Sequence, residues 1–111
     1  MIHQECTIKV HKGSDLVTIE ILGDLTASAE KPLNEAYREV CDLNIRNILL
    51  KFDGKSRINS TGTTMLVNLV SQSQEKGFRV LVTGISKHSR KIFELVGLTR
   101  YTTIVESEKE I

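Results

Sequence analysis

Tryptophan is absent from the 111 residues, and aromatic side chains make up only 5%: Tyr37, Phe52, Phe78, Phe93 and Tyr101. Spread that thinly, they form no array interleaved with arginine on which bases could stack. An excess of one charge sign is missing too. Fifteen basic residues face fourteen acidic ones, a formal net charge of +1, so the totals give no support to a nucleic-acid partner. Cys6 and Cys41 are the only thiols. They make no CxxC pair and are too few to staple a secreted fold, so they are expected reduced, one on a strand and one on a helix. No apolar run exceeds about five residues, against the roughly 20 that span a bilayer. Met1-Ile2-His3-Gln4-Glu5 has no basic stretch followed by an apolar core, the pattern of a signal peptide. A soluble, cytoplasmic protein with no membrane insertion is expected.

Catalytic motifs are missing as well. His3, His11 and His88 are dispersed, with no HxxxH or Cys–His spacing, so neither a metal nor another cofactor is expected. No GxSxG elbow is present. Gly54-Lys55-Ser56 has the ending of a phosphate-binding loop, but Leu49 stands where its leading glycine would fall, and the backbone cradle is lost. Asn59-Ser60-Thr61 matches a glycosylation sequon, which carries no meaning without a secretory signal. With no nucleophile–base pair in view, the chain is not expected to be an enzyme.

What is present describes an ordinary folded domain. Hydrophobic residues reach 40% and charged residues 26%, which excludes wholesale disorder. The length supports one core, so residues 1–111 are read as a single domain. Thr7-Ile8-Lys9-Val10 and Leu16 to Leu22 alternate in character around the turn-rich His11-Lys12-Gly13-Ser14-Asp15, predicting an opening β-hairpin. From Ser28 to Leu43, residues Leu33, Ala36, Tyr37, Val40 and Leu43 recur at helical spacing. Pro32 suits the first turn, and Glu35, Arg38, Glu39 and Asp42 form the solvated face.

Asn47 to Phe52 is apolar enough for an interior strand. Met65, Leu66, Leu69 and Val70 mark a second helix stopped by Gly77. Phe78 to Thr83 reads as a strand. A third helix is expected with Ser86 as cap, Ile92, Phe93 and Val96 as buried face, and Gly97 as stop. Thr102 to Val105 closes the series before a charged tail. The order β-β-α-β-α-β-α-β predicts an α/β fold, a mixed β-sheet flanked by helices, parallel apart from the hairpin.

Two features carry possible chemistry. Lys87, His88, Arg90 and Lys91 crowd the start of the third helix, where positive charge opposes the macrodipole. They form either a solvated face or a contact for an acidic partner. Asn59-Ser60-Thr61-Gly62 places two hydroxyls and a glycine where a buried strand hands over to a helix. One reading is capping by Asn59 or Ser60, worth about 1 kcal/mol. The other is a phosphorylation switch, since a phosphate is tolerated beside unpaired helix N–H groups. The residues alone leave both open.

The pattern as a whole resembles the STAS domains of bacterial anti-sigma-factor antagonists. The resemblance rests on Leu22-Gly23-Asp24-Leu25, on the strand ending Phe52-Asp53 and on Ile58-Asn59-Ser60-Thr61-Gly62. Gly77-Phe78-Arg79-Val80 and Ile92-Phe93-Glu94-Leu95-Val96-Gly97-Leu98 complete it over nearly the whole chain. It implies a binding module without catalysis. Its partner is an anti-sigma factor that is also a serine/threonine kinase; phosphorylation ends the contact and a serine/threonine phosphatase restores it. The family's acceptor directly precedes the glycine, which implies Thr61 here, with Ser60 second.

The resemblance also implies a partner-binding surface of Gly23, Asp24, Leu25 and Thr26 with Asn59, Ser60, Thr61 and Gly62. Lys55 and Arg57 flank it, where their charge could steady a phosphate but is not expected to be the main contact. Asn59 stands where an aspartate is usual, and Thr63 and Thr64 follow the glycine where an apolar residue is commoner. An unphosphorylated scaffold, or the accessory subunit of a lipid-transport ATPase, is the alternative role.

Overall fold

The computed structural model describes residues 5–106; His3 and the charged tail beyond Glu106, both read above, lie outside them. Strand β1 (Thr7–Lys12) and strand β2 (Val17–Leu22) form the expected antiparallel hairpin, with Lys12 opposite Val17 and Thr7 opposite Leu22. Pairing runs on through His11 and Lys12, which the sequence placed in the turn. The reversal is confined to the residues between the strands, where the Gly13 N–H donates to the Leu16 carbonyl at 2.8 Å.

A short 3-10 turn (Ala27–Ala29) leads into helix α1 (Glu30–Cys41), followed by strand β3 (Asn47–Phe52), helix α2 (Ser60–Lys76) and strand β4 (Arg79–Thr83). Helix α3 (Lys87–Leu95), a second 3-10 turn (Leu98–Arg100) and strand β5 (Thr102–Ile104) complete the fold. The sheet order is β1-β2-β3-β4-β5, antiparallel at the hairpin and parallel elsewhere.

The alternation of the strands explains where the core lies. Val17, Ile19 and Ile21 of β2 are fully buried, while Thr18, Glu20 and Leu22 between them are half-exposed. In β3, Ile48, Leu50 and Phe52 join the main core with Leu33, Ala36, Tyr37 and Val40 of α1. Met65, Leu66, Leu69 and Val70 of α2 and Phe93 of α3 belong to the same core. All three helices therefore cover one face of the sheet, as crossovers of one hand between successive neighbours require. Leu49 and Leu81 point to the other face and make a small second cluster with Val105, so β3 is apolar on both sides.

Inside the main core, the Tyr37 hydroxyl meets the Ser73 hydroxyl at 2.8 Å, and Ser73 in turn donates to the Leu69 carbonyl at 2.8 Å. Burial of the phenol, opposed by the Ser73 hydrogen bond and aided by Cys41, pushes Tyr37 up to about 12.

Several boundaries differ from the sequence reading. α1 starts at Glu30 rather than Ser28, because the chain first makes the 3-10 turn, and Leu43 falls beyond the helix end. Cys6 precedes β1 instead of lying in it, Phe78 lies before β4 and Val105 beyond β5, whereas Cys41 is the last residue of α1. Val96 departs most. It lies past the end of α3 and is 45% exposed, because Gly97, at φ 81°, turns the chain away immediately after it. The buried face of this nine-residue helix consists of Phe93 and Ser89, with Ile92 half-buried.

Candidate functional site

Parallel pairing of β2 with β3 brings Ile21 beside Phe52, so the loops leaving the two strands emerge side by side. In open α/β sheets, binding crevices form outside the carboxyl ends of the strands. Here the two loops are sewn together by backbone and carboxylate hydrogen bonds. The Leu25 N–H donates to the Arg57 carbonyl at 2.8 Å, and the Asn59 N–H donates to the Leu25 carbonyl at 3.3 Å. Leu25 and Ile58 thus form an isolated parallel bridge, both with buried side chains. Asp24 accepts from the Arg57 N–H at 3.1 Å.

Asp53 is the organising residue that sequence reasoning quoted without assigning a role. One carboxylate oxygen accepts from the Gly23 N–H at 3.1 Å; the other accepts from the Lys55 N–H at 2.8 Å and the Ser56 hydroxyl at 3.0 Å. The signal was available in principle, since an Asp two residues before an N–H that it can bond is an Asx-turn pattern. Partial burial draws the Asp53 carboxyl upward, but the bonds from Gly23, Lys55 and Ser56 outweigh it and hold the group below its ordinary value. Burial, then the nearby charges of Asp24 and Asp53, pushes the Cys6 thiol up.

A depressed carboxylate stabilises the fold above its unfolded value of about 3.9 and ceases to do so as the pH falls through its folded value. Asp53→Ala is therefore expected to cost about 1 kcal/mol at neutral pH, solvent exposure keeping the loss small. Urea denaturation of both proteins should show that gap closing as the pH drops below about 4. A gap that stays constant with pH would deny Asp53 this role.

Asn59 starts α2. Its backbone is extended, its side-chain oxygen accepts from the Gly62 N–H at 2.8 Å, and its carbonyl receives the Thr63 N–H at 2.8 Å. Of the two candidate caps, Asn59 is the one, and an amide oxygen performs this function as well as a carboxylate. Thr63 and Thr64 turn their hydroxyls back to the carbonyls of Asn59 and Ser60 at 2.9 and 3.1 Å. Ser60 and Thr61 are exposed. Among the described residues neither of their hydroxyls has a hydrogen-bond partner. No acidic residue occupies the first turn of α2, so the helix itself sets no negative side chain against the positive end of its dipole.

Gly62 is buried against the neighbouring loop. A Cβ there would lie 2.2 Å from the Leu25 carbonyl oxygen and 3.0 Å from its carbon. The glycine is required because two backbones meet at this point.

All eight residues read as a partner surface thus lie around one junction. They divide by exposure: Asn59, Ser60 and Thr61 face solvent, Asp24 and Thr26 are half-buried, and Gly23, Leu25 and Gly62 are buried supports. Lys55 and Arg57 are exposed on the loop before α2. They line a groove of about 570 Å³ that runs from Asn59 to Ser86, His88 and Ser89 at the start of α3. Ser86 caps that helix, accepting from the Ser89 N–H at 3.1 Å. No helix among the described residues is long and apolar enough to cross a membrane.

Several solved structures share this fold. The chain is 17% identical to the anti-sigma factor antagonist SpoIIAA in its unphosphorylated form, at a TM-score of 0.75 over 94% of this chain and 91% of that one. RsbS of Moorella thermoacetica gives 14% identity and a TM-score of 0.78 over 92% and 88%. An anti-sigma factor antagonist from Mycobacterium paratuberculosis gives 17% and 0.74 over 96% and 90%. At these identities the likeness speaks for the fold. The family model described as the STAS domain matches residues 7–111. With the hairpin, the parallel strands behind it and the glycine-bearing helix start all in place, this chain belongs to the STAS domain family.

Proposed function

We propose that this STAS domain is an anti-sigma-factor antagonist. It binds an anti-sigma factor that is also a serine/threonine kinase, and so frees a sigma factor in the cytoplasm. Phosphorylation of Thr61 by that kinase ends the contact, and a serine/threonine phosphatase restores it. The domain acts by binding, not by catalysis.

The observation that carries this reading is the pair of exposed hydroxyls of Ser60 and Thr61, without a hydrogen-bond partner among the described residues, beside the Gly23–Thr26 loop. A phosphate adds close to two negative charges, and the start of α2 is where the fold tolerates them best. SpoIIAA, a structural relative, has been solved in both unphosphorylated and phosphorylated forms, and this chain matches them at TM-scores of 0.75 and 0.69.

Helical geometry favours Thr61 over Ser60. Asn68 and Gln72 open toward α1 beside Glu30 and Asn34. Thr61 lies about two turns before Asn68 and therefore on the same side, toward the loop that enters α1. Ser60 lies about 100° around the helix, in line with Thr64 and Val67. A partner gripping Gly23–Thr26 meets Thr61 first.

The test is incubation of the full chain with ATP and the anti-sigma factor kinase of the same organism, followed by mass-spectrometric mapping. Phosphate is expected at Thr61. Phosphate at neither Thr61 nor Ser60, with no binding to that kinase, selects the unphosphorylated scaffold or transporter-subunit role instead.

A further inference from the structure

The basic groove beside the switch is not used by the function proposed above. Nine residues line it; Lys55, Arg57 and His88 are basic and none is acidic. Lys87 and Lys91 continue the charge along the exposed side of α3. Two carboxylates border the groove, Asp53 accepting from the Lys55 N–H and the Ser56 hydroxyl and Asp24 accepting from the Arg57 N–H, and the basic side chains of Lys55, Arg57, Lys87 and Lys91 outnumber them. In a chain whose formal net charge is only +1, this concentration of positive charge is local.

The lining excludes other occupants. No aromatic side chain is present to stack a base. An amide in the first turn of each adjoining helix is already taken, Gly62 by Asn59 and Ser89 by Ser86, so the bare amide nest that holds a single phosphate is reduced. What remains are the long side chains of Lys55 and Arg57 from one loop, together with His88 of α3, around an opening of about 570 Å³, far larger than one phosphate. Such spacing suits several carboxylates carried on one chain.

We propose that this groove docks an acidic segment of the partner protein, rich in Asp and Glu, next to the phosphorylation site. The inference rests on the proposed function for the partner's identity, while the groove's chemistry stands without it. Asn59 belongs both to the cap of α2 and to the groove wall, so the two surfaces are continuous. A phosphate on the first turn of α2 would then compete with the acidic segment for the same positive field, which gives release an electrostatic cause.

The probe is octaglutamate, titrated into the full chain and followed by backbone amide NMR shifts at about 20 mM and then about 150 mM salt. Shifts are expected at Lys55–Asn59 and Ser86–Lys91, weakening with salt. In Arg57→Glu/Lys87→Glu the apparent affinity should drop about tenfold or more. Lys55→Glu/Lys91→Glu supplies a second exposed pair, and unchanged thermal unfolding certifies each variant. Thr61→Ala should keep the shifts. Shifts scattered over all lysines, no shifts, or equal response to octauridylate would overturn the assignment. If neither Thr61 nor Ser60 takes phosphate while the octaglutamate shifts stand, the switch fails and the groove survives; phosphate at either residue without those shifts is the reverse.

Discussion

Gly62→Ala is expected to lower the stability of the domain by about 2 kcal/mol, although alanine is the better helix former. Helix propensity alone favours the substitution by about 1 kcal/mol. Against that stands a Cβ placed 2.2 Å from the Leu25 carbonyl oxygen and 3.2 Å from a methyl of Ile58. The obstacle is backbone, held by the Leu25 N–H bond to Arg57 and by the Asn59 N–H on the same carbonyl, so it does not yield cheaply. Overpacking of this kind costs about 1–3 kcal/mol, and each strained hydrogen bond forfeits about 1 kcal/mol more. The loss should appear as a lower urea midpoint with an unchanged slope, and as amide shifts through Gly23–Thr26. Ser71→Ala, on the exposed face of the same helix, controls for propensity. If Gly62→Ala matched the native midpoint, the two loops would not be locked together as described.

That contact illustrates what the sequence could and could not reveal. The periodicities of Leu33, Ala36, Tyr37 and Val40, and of Met65, Leu66, Leu69 and Val70, report burial directly, and those residues are buried. Gly77 closes α2 at φ 76°, as a glycine after a periodic run implies. Local signals of this kind depend on a few neighbouring residues. Val96 misled because its spacing continued the helix while Gly97 ended it, and backbone termination outweighs hydrophobic spacing.

The role of Gly62 depends on Leu25, and that of Asp53 on Gly23; both links join segments distant in the sequence at the ends of neighbouring strands and leave no periodic trace. The groove was legible only as two unrelated charge features. Pairing of β3 with β4 is what brings the loop bearing Lys55 and Arg57 to the start of α3.

Thr61→Glu is expected to weaken binding to the anti-sigma factor kinase by about 100-fold or more while leaving thermal unfolding nearly unchanged. Burying an unpaired negative charge, or setting it against a partner's carboxylates, costs several kcal/mol, and about 1.4 kcal/mol corresponds to each tenfold in affinity. On the domain itself the same charge lies at a helix start whose first turn holds no acidic residue, where it stabilises by about 0.3–1 kcal/mol. The two effects therefore separate, and they carry opposite signs.

Thr61→Gln brings similar bulk without charge and should retain more binding than Thr61→Glu. Asn59→Ala removes the bond to the Gly62 N–H and should cost about 1 kcal/mol of stability, the reverse pattern. Titration calorimetry and thermal melts on this set distinguish a switch from a cap. Glutamate at Thr61 that unfolds the domain by more than about 2 kcal/mol would make the residue structural, since surface substitutions rarely exceed about 0.5 kcal/mol. Equal loss with glutamine would make bulk, not charge, the cause of release, and a phosphate could then act only by filling space.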